Sequence, residues 1–197
     1  LVRRLGRERA ELLVGHDFGS PVAAWAALTR PDVFERVALM SAPFAGPPPL
    51  PPGPAEPPAP DIDTALAALP RPRKHYQHHY ATREAEAEML GAPQGLHAFL
   101  RAYYHMKSAD WAGNDPQPLE GWTAEALARM PTYYVMDRGQ GMAQTVAPHM
   151  PDAQTVAANR WLSEPEMAVY AAAFARTGFQ GALNWYRCQL DPTQTRE

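Results

Sequence analysis

Apolar positions early in the chain come in unbroken runs, and later they recur at helical spacing. Residues 10–14 close on Leu12-Leu13-Val14 and stop abruptly at Gly15, the pattern of a short strand buried on both faces. Val22–Leu28 follows, with Ala23, Ala24, Ala26 and Ala27 slim enough to pack on a sheet and Trp25 and Leu28 supplying bulk. Pro31 closes that helix, and Arg36–Ser41 reads as a second buried strand. Strand, helix and strand in about 35 residues predict a βαβ unit and hence a parallel sheet. Residues 1–9 read as the tail of a helix ending near Gly6. Only two convincing strands are visible, too few for a parallel sheet covered on both faces, so the segment is expected to be part of a larger domain. A two-strand piece would expose an apolar face and tend to aggregate.

Beyond Pro43 the pattern changes. Nine of the fourteen residues from Pro47 to Pro60 are proline, an extended connector. After it the periodicity is helical. Thr82 is the expected cap of a helix Arg83–Leu90 stopped by Gly91-Ala92-Pro93. Leu96, Phe99, Leu100 and Tyr103 form an apolar stripe. Thr123 is placed to cap Ala124–Met130, with Trp122 and Leu127 as a hydrophobic staple, and Ser163 with Glu166 reads as a capping box for a helix carrying Met167, Tyr170 and Phe174 up to Gly178. The expected organisation is a βαβ piece over 1–46, a proline-rich connector over 47–60, an all-helical block over 61–187 and a return segment over 188–197.

Composition narrows the function classes. The chain has 197 residues and a formal net charge of −3, so it has no basic footprint for nucleic acid. No apolar run is long enough to span a membrane. Its one cysteine, Cys188, forms no internal disulfide and suits a reducing compartment; a cytoplasmic location is expected.

The chemistry concentrates where the first strand ends. Gly15-His16-Asp17-Phe18-Gly19 between a strand and a helix is the form of a nucleophile elbow, which lifts one side chain above the strand end. Here that side chain is the carboxylate of Asp17, with Gly15 and Gly19 as flanking residues without bulk and Ser20-Pro21 as cap and first-turn residue. A carboxylate nucleophile displaces at carbon and forms an ester that water must later cleave. A plain tight turn with Asp17 as a helix cap is the alternative.

Val14-Gly15-His16-Asp17-Phe18-Gly19-Ser20 resembles the elbow of α/β-hydrolases of the soluble epoxide hydrolase type. Ser41-Ala42-Pro43-Phe44 sits where those enzymes enter a helical lid, and Gly178-Phe179-Gln180-Gly181-Ala182-Leu183-Asn184-Trp185-Tyr186-Arg187 is similar to their lid-exit motif. The resemblance runs from Glu11 to Arg187. It implies a partial α/β-hydrolase sheet, a βαβ around the elbow, followed by an all-helical lid. It also implies the opening of a small-molecule epoxide to a diol, without cofactor or metal. Asp17 is then the nucleophile and the Phe18 N–H an oxyanion donor. Tyr186 and Tyr76, the latter in His75-Tyr76-Gln77-His78-His79-Tyr80, become the phenols that hold the epoxide oxygen. Trp185, Tyr80 and Phe44 are the expected substrate-binding residues, His16 has a supporting role, and a homodimer is compatible with the reading.

Two departures qualify this picture. The family's catalytic histidine and its acidic partner follow the lid, and its His-Gly-x-Pro oxyanion loop precedes the elbow; neither has a counterpart here. The chain is therefore expected to be a central piece that forms the ester without hydrolysing it. Rival readings are a haloalkane or haloacid dehalogenase, with Trp111, Trp122, Trp161 and Trp185 as halide donors, and a non-catalytic binding module. A metal at His75, His78 and His79 is a further alternative.

Overall fold

A computed structural model describes residues 1–47 and 61–190 of the chain. It divides into two compact units, Leu1–Pro58 and Ala59–Glu197. From residue 48 to 60 the proline-rich connector lies outside the described residues, as do residues 191–197 of the return segment.

In the first unit β1 (Leu13–His16) and β2 (Val37–Met40) run parallel, Leu13 opposite Val37 and His16 opposite Met40. The helix α1 (Gly19–Thr29) joins them. Ala23 and Ala24 are buried, as small residues must be for a helix to lie close on strands. Gly15 tightens the approach further: a Cβ there would stand 2.8 Å from the Ala23 Cβ and closer still to the Gly19 carbonyl oxygen. β1 starts later than the apolar run, because Ala10 makes only a single bridge to Phe34. With two strands the covering is thin. Val14 is 53% exposed, and Leu12, Val37, Leu39 and Met40 are exposed as well.

The second unit holds α2 (Ile62–Ala67), β3 (Arg73–His75), α3 (Tyr76–Ala81), α4 (Ala85–Leu90), α5 (Leu96–Met106), α6 (Ala124–Leu127), β4 (Val135–Asp137), α7 (Met142–Val146), α8 (Ala153–Ala158), α9 (Glu164–Thr177) and α10 (Gln180–Leu190). The expectation of an all-helical block is corrected by β3 and β4, which pair antiparallel with His75 opposite Val135. Arg73-Lys74-His75 carries no apolar alternation to announce a strand. What holds it is Arg73, only 5% exposed, whose guanidinium donates to the Val135 carbonyl and lies 3.7 Å from Asp137.

The core follows the expected stripes. Phe99, Leu100, Met106, Met136, Met142, Val146, Met167 and Leu183 are buried together, and Leu66, Leu127 and Val135 form a smaller cluster. Arg101, buried on α5, donates to the Leu162 carbonyl at 2.8 Å and to Glu164 Oε1 at 2.6 Å, anchoring the start of α9. The Ser163–Glu166 capping box is present on that helix.

Three capping expectations change. Thr82 donates its hydroxyl to the His79 carbonyl at 2.8 Å, so it finishes α3 instead of starting α4. Thr123 does accept from the Ala126 N–H, but α6 ends at Leu127. The staple is absent, since Trp122 is 65% exposed and its ring lies 6.1 Å from that of His75. Among the described residues no helix is long and apolar enough to cross a membrane.

Short α4 organises its neighbours through two carboxylates. Glu86 Oε1 accepts the Phe179 and Gln180 N–H groups at 3.0 Å, at the start of α10. Glu88 accepts the Met142 and Ala143 N–H groups at 3.1 and 2.8 Å, at the start of α7, and faces His79 Nε2 at 3.3 Å. Gly141 and Gly178 leave room for these carboxylates, which an added Cβ would strike. Burial works to raise the Glu88 carboxyl, but His79 and the two amides outweigh it and hold it below its ordinary value of 4.5. A depressed carboxylate contributes stability that is complete above its unfolded pKa and is lost as pH falls through the folded one. The helical signal should therefore lose urea resistance as pH drops below 4.5. Glu88→Gln should flatten that pH dependence and cost roughly 1–3 kcal/mol at neutral pH; an unchanged acid slope in the variant would assign the acid sensitivity elsewhere.

Candidate active site

At the end of β1 the backbone turns through a conformation that side chains resist. Asp17 has φ 53°, in the left-handed region that residues other than glycine rarely adopt. Such strain costs on the order of 1–3 kcal/mol and persists where its surroundings over-determine it. The Asp17 N–H donates to the Met40 carbonyl at 3.0 Å, and the Ser20 N–H donates to the Asp17 carbonyl at 2.9 Å. The Asp17 side chain is exposed, and its Oδ1 accepts the Phe18 N–H at 2.6 Å.

Ser20 is not the helix cap expected of it. α1 starts at Gly19 with Phe18 in the capping position and no side-chain cap bond. Fully buried, Ser20 sets its Oγ 3.0 Å from the Gly15 carbonyl and 2.8 Å from the Met40 carbonyl, while accepting the Met40 N–H at 3.2 Å. One hydroxyl thus joins the ends of both strands to the helix. Among the described residues Gly19 has open space where a Cβ would stand, so the steric demand of the turn falls on Gly15. His16 ends β1 with an exposed side chain.

The second unit gathers tyrosines. Tyr76 opens α3, where His75 caps the helix by accepting the Gln77 N–H on Nδ1 at 3.4 Å. Around the Tyr76 ring lie those of Tyr80 at 5.5 Å, Tyr134 at 5.5 Å and Tyr186 at 5.8 Å, all edge-on. Tyr80 and Tyr186 are 5.2 Å apart. Edge-on contact keeps each ring's positive rim on a neighbour's negative face. Arg187 keeps α10 in register with α3, donating to the Ala81 and Thr82 carbonyls at 3.3 and 3.0 Å. That explains an arginine directly after Tyr186.

Beside the tyrosines lies a cavity of about 180 Å³, with Tyr80, Tyr103, Tyr186, Phe99, Phe174 and Phe179 among its walls. The Tyr80 and Tyr103 hydroxyls are 3.2 Å apart. Burial pushes the Tyr103 phenol up to about 12, Tyr80 partly opposing it, and burial raises Tyr80 well above the ordinary phenol value. Both stay neutral donors at any working pH.

The remaining candidates are dispersed. Phe44 packs edge-on against Trp25 at 5.5 Å in the first unit, and Trp185 is half-buried beside Tyr186 on α10. His75 and His79, weighed as metal ligands, are engaged in the α3 cap and the Glu88 contact; among the described residues no group of three or more His, Cys, Asp or Glu could hold a metal. The Trp161 indole N–H donates to Asp110 Oδ2 at 2.8 Å, and Trp111 packs on His149 and Tyr133.

Sequence reasoning missed Tyr134, Tyr103 and Lys107. Tyr134 reaches the cluster because its carbonyl accepts the Tyr76 N–H at 2.8 Å, extending the β3–β4 pairing, which no local pattern announced. Tyr103 was visible only as a core position of the α5 stripe. The Lys107 ammonium lies over the rings of Tyr103, Tyr133 and Tyr134 at 5.2, 4.6 and 4.8 Å.

Solved structures similar to this chain are epoxide hydrolases. One from an endophytic Streptomyces is 30% identical with a TM-score of 0.61, matching 95% of this chain and 46% of its own. Epoxide hydrolase A of Mycobacterium thermoresistibile is 28% identical with a TM-score of 0.54, matching 95% of this chain and 48% of its own. A Vigna radiata epoxide hydrolase variant, 20% identical with a TM-score of 0.56, shares the fold over 95% of this chain and 46% of its own. The chain thus spans about half the length of these proteins. No protein-family model and no curated protein sequence matches it.

Replacing Ser20 by Ala would leave the buried Gly15 carbonyl and the Met40 backbone groups without their shared partner. Chemical denaturation should show a loss of about 1–3 kcal/mol; a neutral result would mean that the elbow is held by its backbone bonds alone.

Proposed function

We propose that this chain, an epoxide hydrolase-like member of the α/β-hydrolase fold family, opens epoxides through an aspartyl ester. The observation that carries the reading is the elbow: Asp17 stands exposed in a left-handed backbone conformation, with the Phe18 N–H 2.6 Å from its carboxylate. A carboxylate oxygen of Asp17 attacks one ring carbon, the carbon–oxygen bond of the epoxide breaks, and the oxygen leaves with the electron pair. Tyr186 and Tyr76 donate hydrogen bonds to that oxygen, and one phenol gives it a proton. The product is a hydroxyalkyl ester of Asp17 and a tyrosinate that solvent reprotonates. The Phe18 N–H then lies beside the ester oxygen that becomes negative when water attacks.

Attack by water needs a base. The histidine that shares a unit with Asp17 is His16, which ends β1 with an exposed side chain, and residues 1–197 are proposed to stop at the ester. The dehalogenase reading finds less support, because Trp161 is committed to Asp110 and Trp122 is largely exposed, while three phenols converge. Trp185, Tyr80 and Phe44 remain proposed substrate contacts.

Intact mass after incubation with styrene oxide should give one adduct per chain, and peptide mapping should place it on Asp17. Asp17→Asn should abolish it. Tyr186→Phe should slow it at least tenfold, within the usual range for losing a general acid. Adducts spread over other residues, or undiminished in Asp17→Asn, would exclude this mechanism, and repeated diol release would exclude arrest at the ester.

A further inference from the structure

The tyrosine cluster opens into the cavity of about 180 Å³ through a shared wall, since Tyr80 and Tyr186 line both. Its other walls are flat. Phe174 and Phe179 stack at 4.4 Å, and Phe99 meets Phe179 edge-on at 6.2 Å. An apolar cavity of about 150 Å³ is already large enough to take up benzene, so this one has the size and the wall chemistry for a single aromatic ring.

The polar content of the cavity is unusual for such a space. Tyr80 and Tyr103 bring two hydroxyls, and the one hydrogen bond between them, at 3.2 Å, uses one of the two protons. A phenol is both donor and acceptor, so whichever hydroxyl donates, the other retains an O–H that meets no acceptor among the described residues. Tyr80 is buried and Tyr103 half-buried, where an O–H without an acceptor costs more than it would in water. A guest presenting one acceptor oxygen would remove that cost.

We propose that this cavity is the specificity pocket for the substrate's substituent, and that it selects a compact aryl group carrying one hydrogen-bond acceptor, held by the spare proton of the Tyr80–Tyr103 pair. The assignment rests on the epoxide reading for its place in a reaction, with Tyr186 at the epoxide oxygen and Tyr103 at the far end of the substituent. As a binding site it stands on the cavity alone.

The test uses the 197-residue chain and two small probes, toluene and anisole, titrated by calorimetry or ligand-observed NMR. Anisole should bind roughly fivefold more tightly than toluene, the worth of one net hydrogen bond. Either single change, Tyr80→Phe or Tyr103→Phe, leaves one phenol with its proton and should keep much of the preference. The double variant should lose it while toluene binding persists. Ala182→Phe, which fills the cavity from its rim, should remove both. No binding of either probe, equal binding in the unaltered chain, or a preference that survives the double variant would overturn the proposal. Mass analysis with styrene oxide and its 4-methoxy derivative separates this from the mechanism. A ratio of the two Asp17 adduct rates that is the same in the unaltered chain and in the double variant sinks the specificity pocket and leaves the ester chemistry standing. Anisole preference without any Asp17 adduct sinks the ester chemistry and leaves the pocket.

Discussion

Two carboxylates on a six-residue helix set the geometry of the second unit. Glu86 and Glu88, two positions apart and so pointing to different sides of α4, accept the first N–H groups of α10 and α7. Charge-assisted bonds to amides are stronger than neutral ones, and helix starts are where unsatisfied donors and positive dipole ends coincide. A helix as short as α4 has little stability of its own. It is useful here as a bracket whose two side chains dictate where other helices begin. The start of α10 then fixes the azimuth at which Tyr186 leaves that helix, and Arg187 locks the same turn to the end of α3. The spacing of the Tyr76 and Tyr186 rings is thus an outcome of polar bonds at helix ends, with core packing supplying cohesion.

The first unit solves a different problem with a different device. There the constraint is a backbone angle, and the parts that hold it are small: Gly15, which gives α1 its closeness, and Ser20, whose single hydroxyl ties both strand ends. A larger residue at either point would push the helix from the strands and relax the turn that raises Asp17. Strain at Asp17 is tolerable only because these contacts over-determine it.

What the sequence disclosed follows from the same division. The βαβ order, the α5 stripe and the Ser163 capping box are local or periodic features, and each was legible in residue pattern. The sharp turn at Asp17, with φ 53°, was legible because two glycines flank it between an apolar run and a helix. β3 was not, because Arg73-Lys74-His75 becomes a strand through a buried guanidinium reaching a carbonyl sixty-two residues away. Ser20 and Thr82 look like N-caps by composition. Thr82 turns back to the His79 carbonyl three residues earlier, while the Ser20 hydroxyl answers to a strand end that the fold brings to it. Tyr134 joined the cluster for a similar reason, through a backbone bond across β3 and β4. Non-local polar bonds left no periodic trace.

Under the proposed function, the phenols also bear on the choice between an epoxide and a halide. A departing halide carries its charge away as a finished anion and needs hydrogen bonds, whereas an opening epoxide ends as an alkoxide that needs a proton. Indole N–H groups can serve the first task but hold their proton too firmly for the second; phenols can serve both. In this unit Trp161 is bonded to Asp110 and Trp111 packs against His149, while Tyr76, Tyr80 and Tyr186 converge within 6 Å of one another. Burial keeps neighbouring Tyr80 and Tyr103 neutral, which suppresses phenolate in the resting cluster and preserves protons for transfer. A cluster of neutral phenols is chemically suited to a leaving oxygen that stays attached to the substrate.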